Sequence, residues 1–394
     1  MAREAIDARL ALLPAESRPL SECVGRTLRE DIYAERDNPP FDRVCMDGIA
    51  IRSDAFGRGL RRFTLQATQP AGAPALTLLS PESAIEVMTG AIMPRGTDCV
   101  VPLEEYDVVA LTVSLKDTAS GEPHRNVQRR GSDSQPGVPM LRSGTRLYAP
   151  EIGVVASAGR AAISVSRQPK FVVISTGDEL VEPGQPIEEH QVRRSNAYAV
   201  LAGLRKHGFE DLSNDHIVDS EEALRERLAH HLAERDVLVL SGGVSKGRFD
   251  LVPKVLQSLN VAEVFYQVAQ RPGMPMWFGV GPTGQAVFGL PGNPVSTLMC
   301  LMRYVVPAMD AAMGTRARAT ETVALAAPIK RGRPSASFVP VSIRYSPEGL
   351  RSAVPRIPNG SGDFLALAGT DGFVELPPRT DPYPEGLVAD FYSW

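Results

Sequence analysis

From residue 170 onward, short continuous apolar runs alternate with amphipathic stretches. Residues 171–174, 237–240 and 286–290 show no polar alternation. That is the pattern of strands buried on both faces. Between them, 195–206 and 220–234 carry apolar residues at helical spacing, and 251–259 reads as a shorter helix. Ser195 is the candidate N-cap of the first helix, with Gly208 beyond its end. A further helix opens at Pro294, with Asn293 as cap and proline at the first helical position. The alternation predicts a βαβ unit with a parallel-rich sheet. Upstream, residues 2–35 are helical in pattern and then extended. The runs 50–52, 63–67, 84–88, 99–102 and 107–115 are β-type, separated by Gly and Pro, and predict a small mainly-β unit. Residues 131–167 alternate turns with a helix-like stretch at 150–158, and β-type runs return at 323–326, 338–343 and 373–376.

A chain of 394 residues is long enough for about two to four domains. The formal net charge of −4 comes with no basic stripe, which argues against a nucleic-acid partner. The first twenty residues carry charges throughout and lack the apolar core of a signal peptide. Residues 272–302 contain no charged side chain, yet Pro275, Pro282, Pro291, Pro294 and six glycines interrupt them. No membrane span is expected there, and a cytoplasmic location is. Cys23, Cys45, Cys99 and Cys300 show no CxxC spacing and are expected to be buried free thiols. His230 and His231 fall on a polar helical stretch and are expected to face solvent.

The chemistry is concentrated where the buried strands end. Ligands of open parallel sheets bind beyond the carboxyl ends of the strands. The first of these strands runs into Ser175-Thr176-Gly177-Asp178-Glu179. The second runs into Ser241-Gly242-Gly243-Val244-Ser245-Lys246-Gly247, with Asp250 close behind. The third runs into Leu290-Pro291-Gly292-Asn293-Pro294-Val295-Ser296. Glycines let backbone N–H groups approach an anion, and a helix start favours phosphate. The same text also fits tight βα turns without ligand. Glu179 and Asp250 are placed to hold Mg²⁺ against a pyrophosphate, or to cap the helices that follow them. Asp219-Ser220-Glu221-Glu222 has the form of a helix start, so locally Asp219 reads as structural.

These segments resemble the MoeA family of molybdopterin molybdenumtransferases, which includes the C-terminal domain of gephyrin. Pro39-Pro40-Phe41-Asp42 with Met46-Asp47-Gly48, Met88-Thr89-Gly90-Ala91 with Pro94, Gly96 and Asp98, and the text from Asn126 to Asp133 are similar to family signatures. So are STGDEL at 175–180, SGGVS at 241–245 and LPGNP at 290–294. The resemblance implies an α/β multidomain fold. A linking and dimerisation domain would combine 1–30 and 131–167. A mainly-β domain would span 31–130, a MoaB/Mog-like βαβ domain 168–316 and a C-terminal β-domain 317–394. It further implies a homodimer, adenylyl-molybdopterin and molybdate as substrates, AMP as a product, Mg²⁺, and a separate enzyme that donates the adenylylated pterin. Asp47 and Thr89 would reach the site from the partner subunit, Asp47 as a catalytic residue and Thr89, like Gly90, as a substrate-binding one. Glu179, Asp219 and Asp250 would act in catalysis, with Glu179 and Asp250 as metal ligands. Ser175, Thr176, Gly177, Ser241, Gly242, Gly243, Ser245, Arg271, Pro291, Gly292, Asn293, Pro294, Ser296 and Ser361 would bind substrate. Asp133 is a further member.

Two positions depart from the family pattern. Met274 stands where the family usually has Lys, and Pro340 where it often has Arg, both being residues that hold molybdate. Arg344, four residues along the same strand face, is the expected stand-in. Two other readings compete: the adenylyltransferase of the same pathway, and a non-catalytic scaffold on the same fold. The MDG and MTGA segments argue against the first, and the retained acids against the second.

Overall fold

The computed structural model describes residues 1–243, 251–330 and 333–394. Its central sheet has six strands in the spatial order Leu212–Ile217, Phe171–Thr176, Val237–Ser241, Ala286–Leu290, Trp277–Val280 and Ala262–Tyr266. The first four are parallel, Trp277–Val280 runs antiparallel to both its neighbours, and the edge strand Ala262–Tyr266 again follows the direction of the first four. The continuous apolar runs follow from two-sided burial. Phe171, Val173, Val237, Val239 and Phe288 face one core, built with the helices Ser195–Lys206 and Pro294–Cys300. Val172, Ile174, Leu238, Leu240 and Val287 face the other, built with Glu221–Glu234 and Val252–Ser258. The side chains of such a strand are removed from water on both faces, so the strands stay apolar until Ser175, Thr176 and Ser241 at their carboxyl ends.

Several expectations are corrected. Ser195 is the first helical residue rather than the cap, which falls at Arg194. The helix Glu221–Glu234 is capped by Ser220, whose hydroxyl accepts from the Ala223 N–H. His230 is exposed, but His231 is buried and bonds Asp215 through Nε2 at 2.7 Å. Cys23, Cys99 and Cys300 are buried thiols, whereas Cys45 is exposed. The run 107–115 is two strands, Tyr106–Val109 and Thr112–Leu115, joined through Ala110 at φ +54°. The edge strand Leu212–Ile217 escaped the sequence pattern because Ser213, Asn214, Asp215 and His216 make it polar. No helix among the described residues is long and apolar enough to cross a membrane.

The N-terminal part holds a second six-stranded sheet, mixed in direction, in the order Cys99–Pro102, Gly48–Ile51, Ser83–Val87, Arg62–Gln69, Thr112–Leu115, Tyr106–Val109. Gly48 is required by close approach, since a Cβ there would sit 2.1 Å from the Val101 carbonyl oxygen. Ala15–Pro19 pairs with Ala162–Ser166, so the chain leaves for the mixed sheet and returns beside its start. At the other end, Glu321–Leu325, Ala336–Tyr345, Arg351–Pro355, Gly372–Leu376 and Val388–Ser393 form a closed barrel, because Ala336–Tyr345 pairs with both Arg351–Pro355 and Gly372–Leu376. The short strand Gln270–Arg271 joins this barrel in parallel, Arg271 opposite Ser337. It fastens the barrel to the end of the central sheet. The Arg303–Glu375 ion pair at 2.6 Å adds a second tie.

Candidate functional site

The three glycine-containing loops start side by side, because Ser175 is in register with Ser241, and Ser241 with Leu290. Gly242 and Gly243 have φ of +99° and +65°. A Cβ on Gly242 would lie 2.8 Å from the Thr176 carbonyl oxygen, and one on Gly243 2.7 Å from Thr176 Oγ1. Only glycine fits this left-handed, close-packed turn. Gly292 of the third loop packs against the Gly242 backbone. Thr176 Oγ1 is buried and has no hydrogen-bond partner among the described residues, whereas buried polar groups are ordinarily paired. Ser175 and Ser241 are buried at the strand ends, and Gly177 is buried where the first loop begins.

Two residues without a sequence motif support these loops. Asn196 Nδ2 donates to Ser241 Oγ at 2.9 Å and to the Gly292 carbonyl at 2.7 Å, tying the second loop to the third. His216 Nε2 donates to the Gly177 carbonyl at 2.9 Å and holds the first loop from the edge strand. Asn196 sits in the first turn of a helix that starts beside the crevice, the one signal that marks it. Nothing in the sequence pairs His216 with Gly177. Within the third loop, Thr297 Oγ1 donates to the carbonyls of Pro291 (2.5 Å) and Asn293 (3.0 Å), fixing the entry into the helix that begins at Pro294.

The acids Asp178, Glu179 and Asp219 are exposed at this end of the sheet. The Asp219 N–H donates to Asp178 Oδ1 at 3.0 Å, joining the loops after the first strand and the edge strand. The Glu179 carboxylate folds back over Gly177, where a Cβ would lie 2.5 Å from Oε2. Ser245 and Asp250 lie outside the described residues. Among the described residues no group of three or more His, Cys, Asp or Glu is arranged to hold a metal ion. A Mg²⁺ site that takes most ligands from phosphate and water needs only one or two carboxylates.

Beside the crevice a cleft of about 630 Å³ opens between the central sheet and the barrel. The third loop borders it through Pro291 and Asn293, and Ser296 and Ser361 offer hydroxyls. The Val295 N–H donates to the Ser361 carbonyl at 3.1 Å, closing the cleft's base. Arg271, Met274 and Pro340 line it as expected from their positions, but Arg344 does not. Four residues of strand carry Arg344 about 13 Å from Pro340, beyond the cleft. Instead Arg333, which the sequence did not single out, faces the cavity. It is brought there by a bridge to Arg379 as the barrel closes. A smaller cavity of about 400 Å³ lies at the opposite end of the central sheet, against Val237 and Ala286, away from all three loops.

Asp47, Thr89 and Gly90 come together on the mixed sheet. Asp47 Oδ1 accepts from the Thr89 N–H at 2.6 Å and the Thr89 hydroxyl at 2.8 Å, while the Gly90 N–H bonds Val44. These donors, the backbone one first, hold the Asp47 carboxyl below its ordinary range. Asp47 and Thr89 are both exposed. Asp133 accepts from Gln128 Nε2 at 2.8 Å in the same part of the chain.

The chain is similar to known proteins along most of its length. Residues 1–159 match the MoeA N-terminal region (domain I and II), 172–311 the probable molybdopterin binding domain, and 322–394 the MoeA C-terminal region (domain IV). A molybdopterin molybdenumtransferase from Synechocystis is 37% identical over 94% of this chain and 93% of its own length. One from Haemophilus influenzae is 32% identical over 75% of this chain and 72% of its own. The solved molybdopterin biosynthesis MoeA protein of Pyrococcus horikosii superposes with a TM-score of 0.79 at 29% identity, covering 100% of this chain and 97% of that one. With the Synechocystis relative matched almost end to end, the chain belongs to the MoeA family of molybdopterin molybdenumtransferases.

Proposed function

We propose that the protein inserts molybdate into adenylyl-molybdopterin, releasing AMP and the completed molybdenum cofactor. One observation carries the reading. The glycine-loop crevice and the arginine-lined cleft share the loop 290–294, so two anionic substrates can be held side by side. Backbone N–H groups of the Ser241-Gly242-Gly243 turn would receive the pyrophosphate. Thr176 Oγ1 supplies a further hydrogen-bonding group, and Asn196 keeps the turn aligned with Gly292. Molybdate would occupy the cleft, with Ser296, Ser361 and Arg271 as donors.

Glu179 and Asp250 would hold Mg²⁺, a hard cation suited to carboxylate and phosphate oxygens, and it would offset the charge of the pyrophosphate. Two anions brought together repel, so this neutralisation and the cleft arginines serve the same end. In this reading the chain divides into four domains and forms a cytoplasmic homodimer. Asp47 and Thr89, fixed to each other on the mixed sheet, complete the partner's crevice. A separate adenylyltransferase supplies the nucleotide-bound pterin.

The test is purified protein with adenylyl-molybdopterin, Mg²⁺ and molybdate, read as AMP release and as activation of a cofactor-free nitrate reductase. Both signals are expected. AMP transfer from ATP to molybdopterin would point to the adenylyltransferase instead. The apolar Met274 and Pro340 in the cleft favour the scaffold as a second reading, and nucleotide-pterin binding without insertion at any molybdate concentration would establish it.

A further inference from the structure

We propose that Arg333 supplies the second positive charge of the cleft and sets the protein's affinity for molybdate. This rests on the assignment of molybdate to that cleft. Among the described lining residues Arg271 and Arg333 carry the positive charge, and no carboxylate accompanies them. Arginines elsewhere in the neighbouring structure are committed, Arg194 to Glu182 and Arg303 to Glu375. Arg333 and Arg271 have no side-chain partner among the described residues. Two guanidiniums at one cavity, with no acid among its described lining residues, repel each other until an anion enters.

The two charges arrive by different routes. Arg271 is on the strand Gln270–Arg271 that the central unit pairs with the barrel strand Ala336–Tyr345, and Arg333 bridges Arg379 just ahead of that barrel strand. An anion between them would therefore bind both units. The remaining wall includes Ile329, Val339 and Ile357. Such a wall lowers the local dielectric and strengthens an ion contact. The planar fork of a guanidinium presents two parallel N–H groups to one oxyanion, a geometry that an ammonium does not reproduce.

The experiment is calorimetric titration of the intact protein with sodium molybdate, with AMP titrated in parallel. Arg333→Gln should weaken molybdate binding by about ten- to a hundredfold, the loss expected for a charge-assisted contact. It should also flatten the dependence of binding on NaCl. Arg333→Lys should recover part of the loss, and Arg344→Gln should change nothing. AMP affinity should hold throughout. If Arg271→Gln weakens molybdate binding and Arg333→Gln does not, the role of Arg333 is overturned while the cleft remains the molybdate site. If neither substitution has an effect, both the cleft assignment and this proposal fail. An equal loss of AMP affinity in Arg333→Gln would show a structural role and would also overturn it.

Discussion

At the carboxyl end of the central sheet, the binding surface is backbone and carboxylate. In the adjoining cleft it is guanidinium, hydroxyl and hydrocarbon. The crevice is built from loops that each continue a strand, held in register by the sheet. The cleft is built from segments between Arg271 and Tyr383, which meet only because the barrel closes and takes Gln270–Arg271 as an added strand. The two sites share Pro291 and Asn293 but differ in how they handle negative charge. In the proposed reading, the crevice needs a cation recruited by its acids, and the cleft carries its own. Substitutions in the crevice should therefore act on nucleotide handling and turnover, and those in the cleft on molybdate alone.

The largest effect is expected from the crevice acids. Glu179→Gln and Asp250→Ala each remove a ligand charge from the proposed Mg²⁺ position. Insertion should fall by about a hundred- to a thousandfold, typical of losing one electrostatic element from a reacting centre. Folding should hold, because Glu179 is exposed. Turnover is measured as AMP release at saturating molybdate. Wild-type rates in either variant would remove that residue from the reaction. Mixing Asp47→Ala with Asp250→Ala protein tests the shared site, since a heterodimer would retain one complete crevice. Inactivity after demonstrated subunit exchange would count against it.

Next in size is Gly242→Ala. The added methyl meets the Thr176 carbonyl oxygen at 2.8 Å on a backbone at φ +99°, so the turn must move. Strain of about 1–3 kcal/mol should cost roughly ten- to a hundredfold in nucleotide affinity. Molybdate binding should change far less, a contrast that parallel titrations would read. Equal losses in both would erase the distinction between crevice and cleft.

Legibility in the sequence follows the same division. The crevice was readable because strand, loop and helix start are contiguous, and because glycine and proline are demanded by local geometry. The central strands are legible for a similar reason, since burial on both faces keeps them apolar up to the serines and threonine at their carboxyl ends. Leu212–Ile217 is not, because its polar side chains lie at the sheet edge and its place is set by register with Phe171–Thr176. Asn196 and His216 act through partners 45 and 39 residues away, and no local pattern encodes such pairs. Strand alternation points to Arg344 rather than Arg333, because it says which face a residue shares but not how far along the strand the cavity extends.

A smaller effect in the cleft is expected from Met274→Lys. Lysine keeps an unbranched chain of similar length and adds a charge beside Arg271. The molybdate concentration giving half-maximal insertion should fall by about tenfold, with adenylyl-molybdopterin affinity unchanged. An unchanged molybdate dependence would show that the anion does not contact position 274.

The smallest expected effect separates the two sites by pH. Asp215 lies behind the crevice on the edge strand, next to His216, which holds Gly177. Partial burial pulls its carboxyl upward, but the hydrogen bonds from His231 and Arg227 outweigh this and leave it below the ordinary range. A depressed folded-state value means that the contribution is full above the unfolded carboxylate value, near 4, and is lost as pH falls through the folded one. Acidification should therefore loosen the strand behind the crevice through Asp215. Asp215→Asn keeps the shape and removes the charge. It should destabilise the protein by about 1 kcal/mol at neutral pH, as expected for charged hydrogen bonds weakened by solvent screening, and the difference from wild type should shrink as pH falls below 4. Denaturant unfolding at several pH values measures it. A difference that stays constant with pH would mean that Asp215 contributes through packing, and that the crevice has no acid-sensitive support that the cleft lacks.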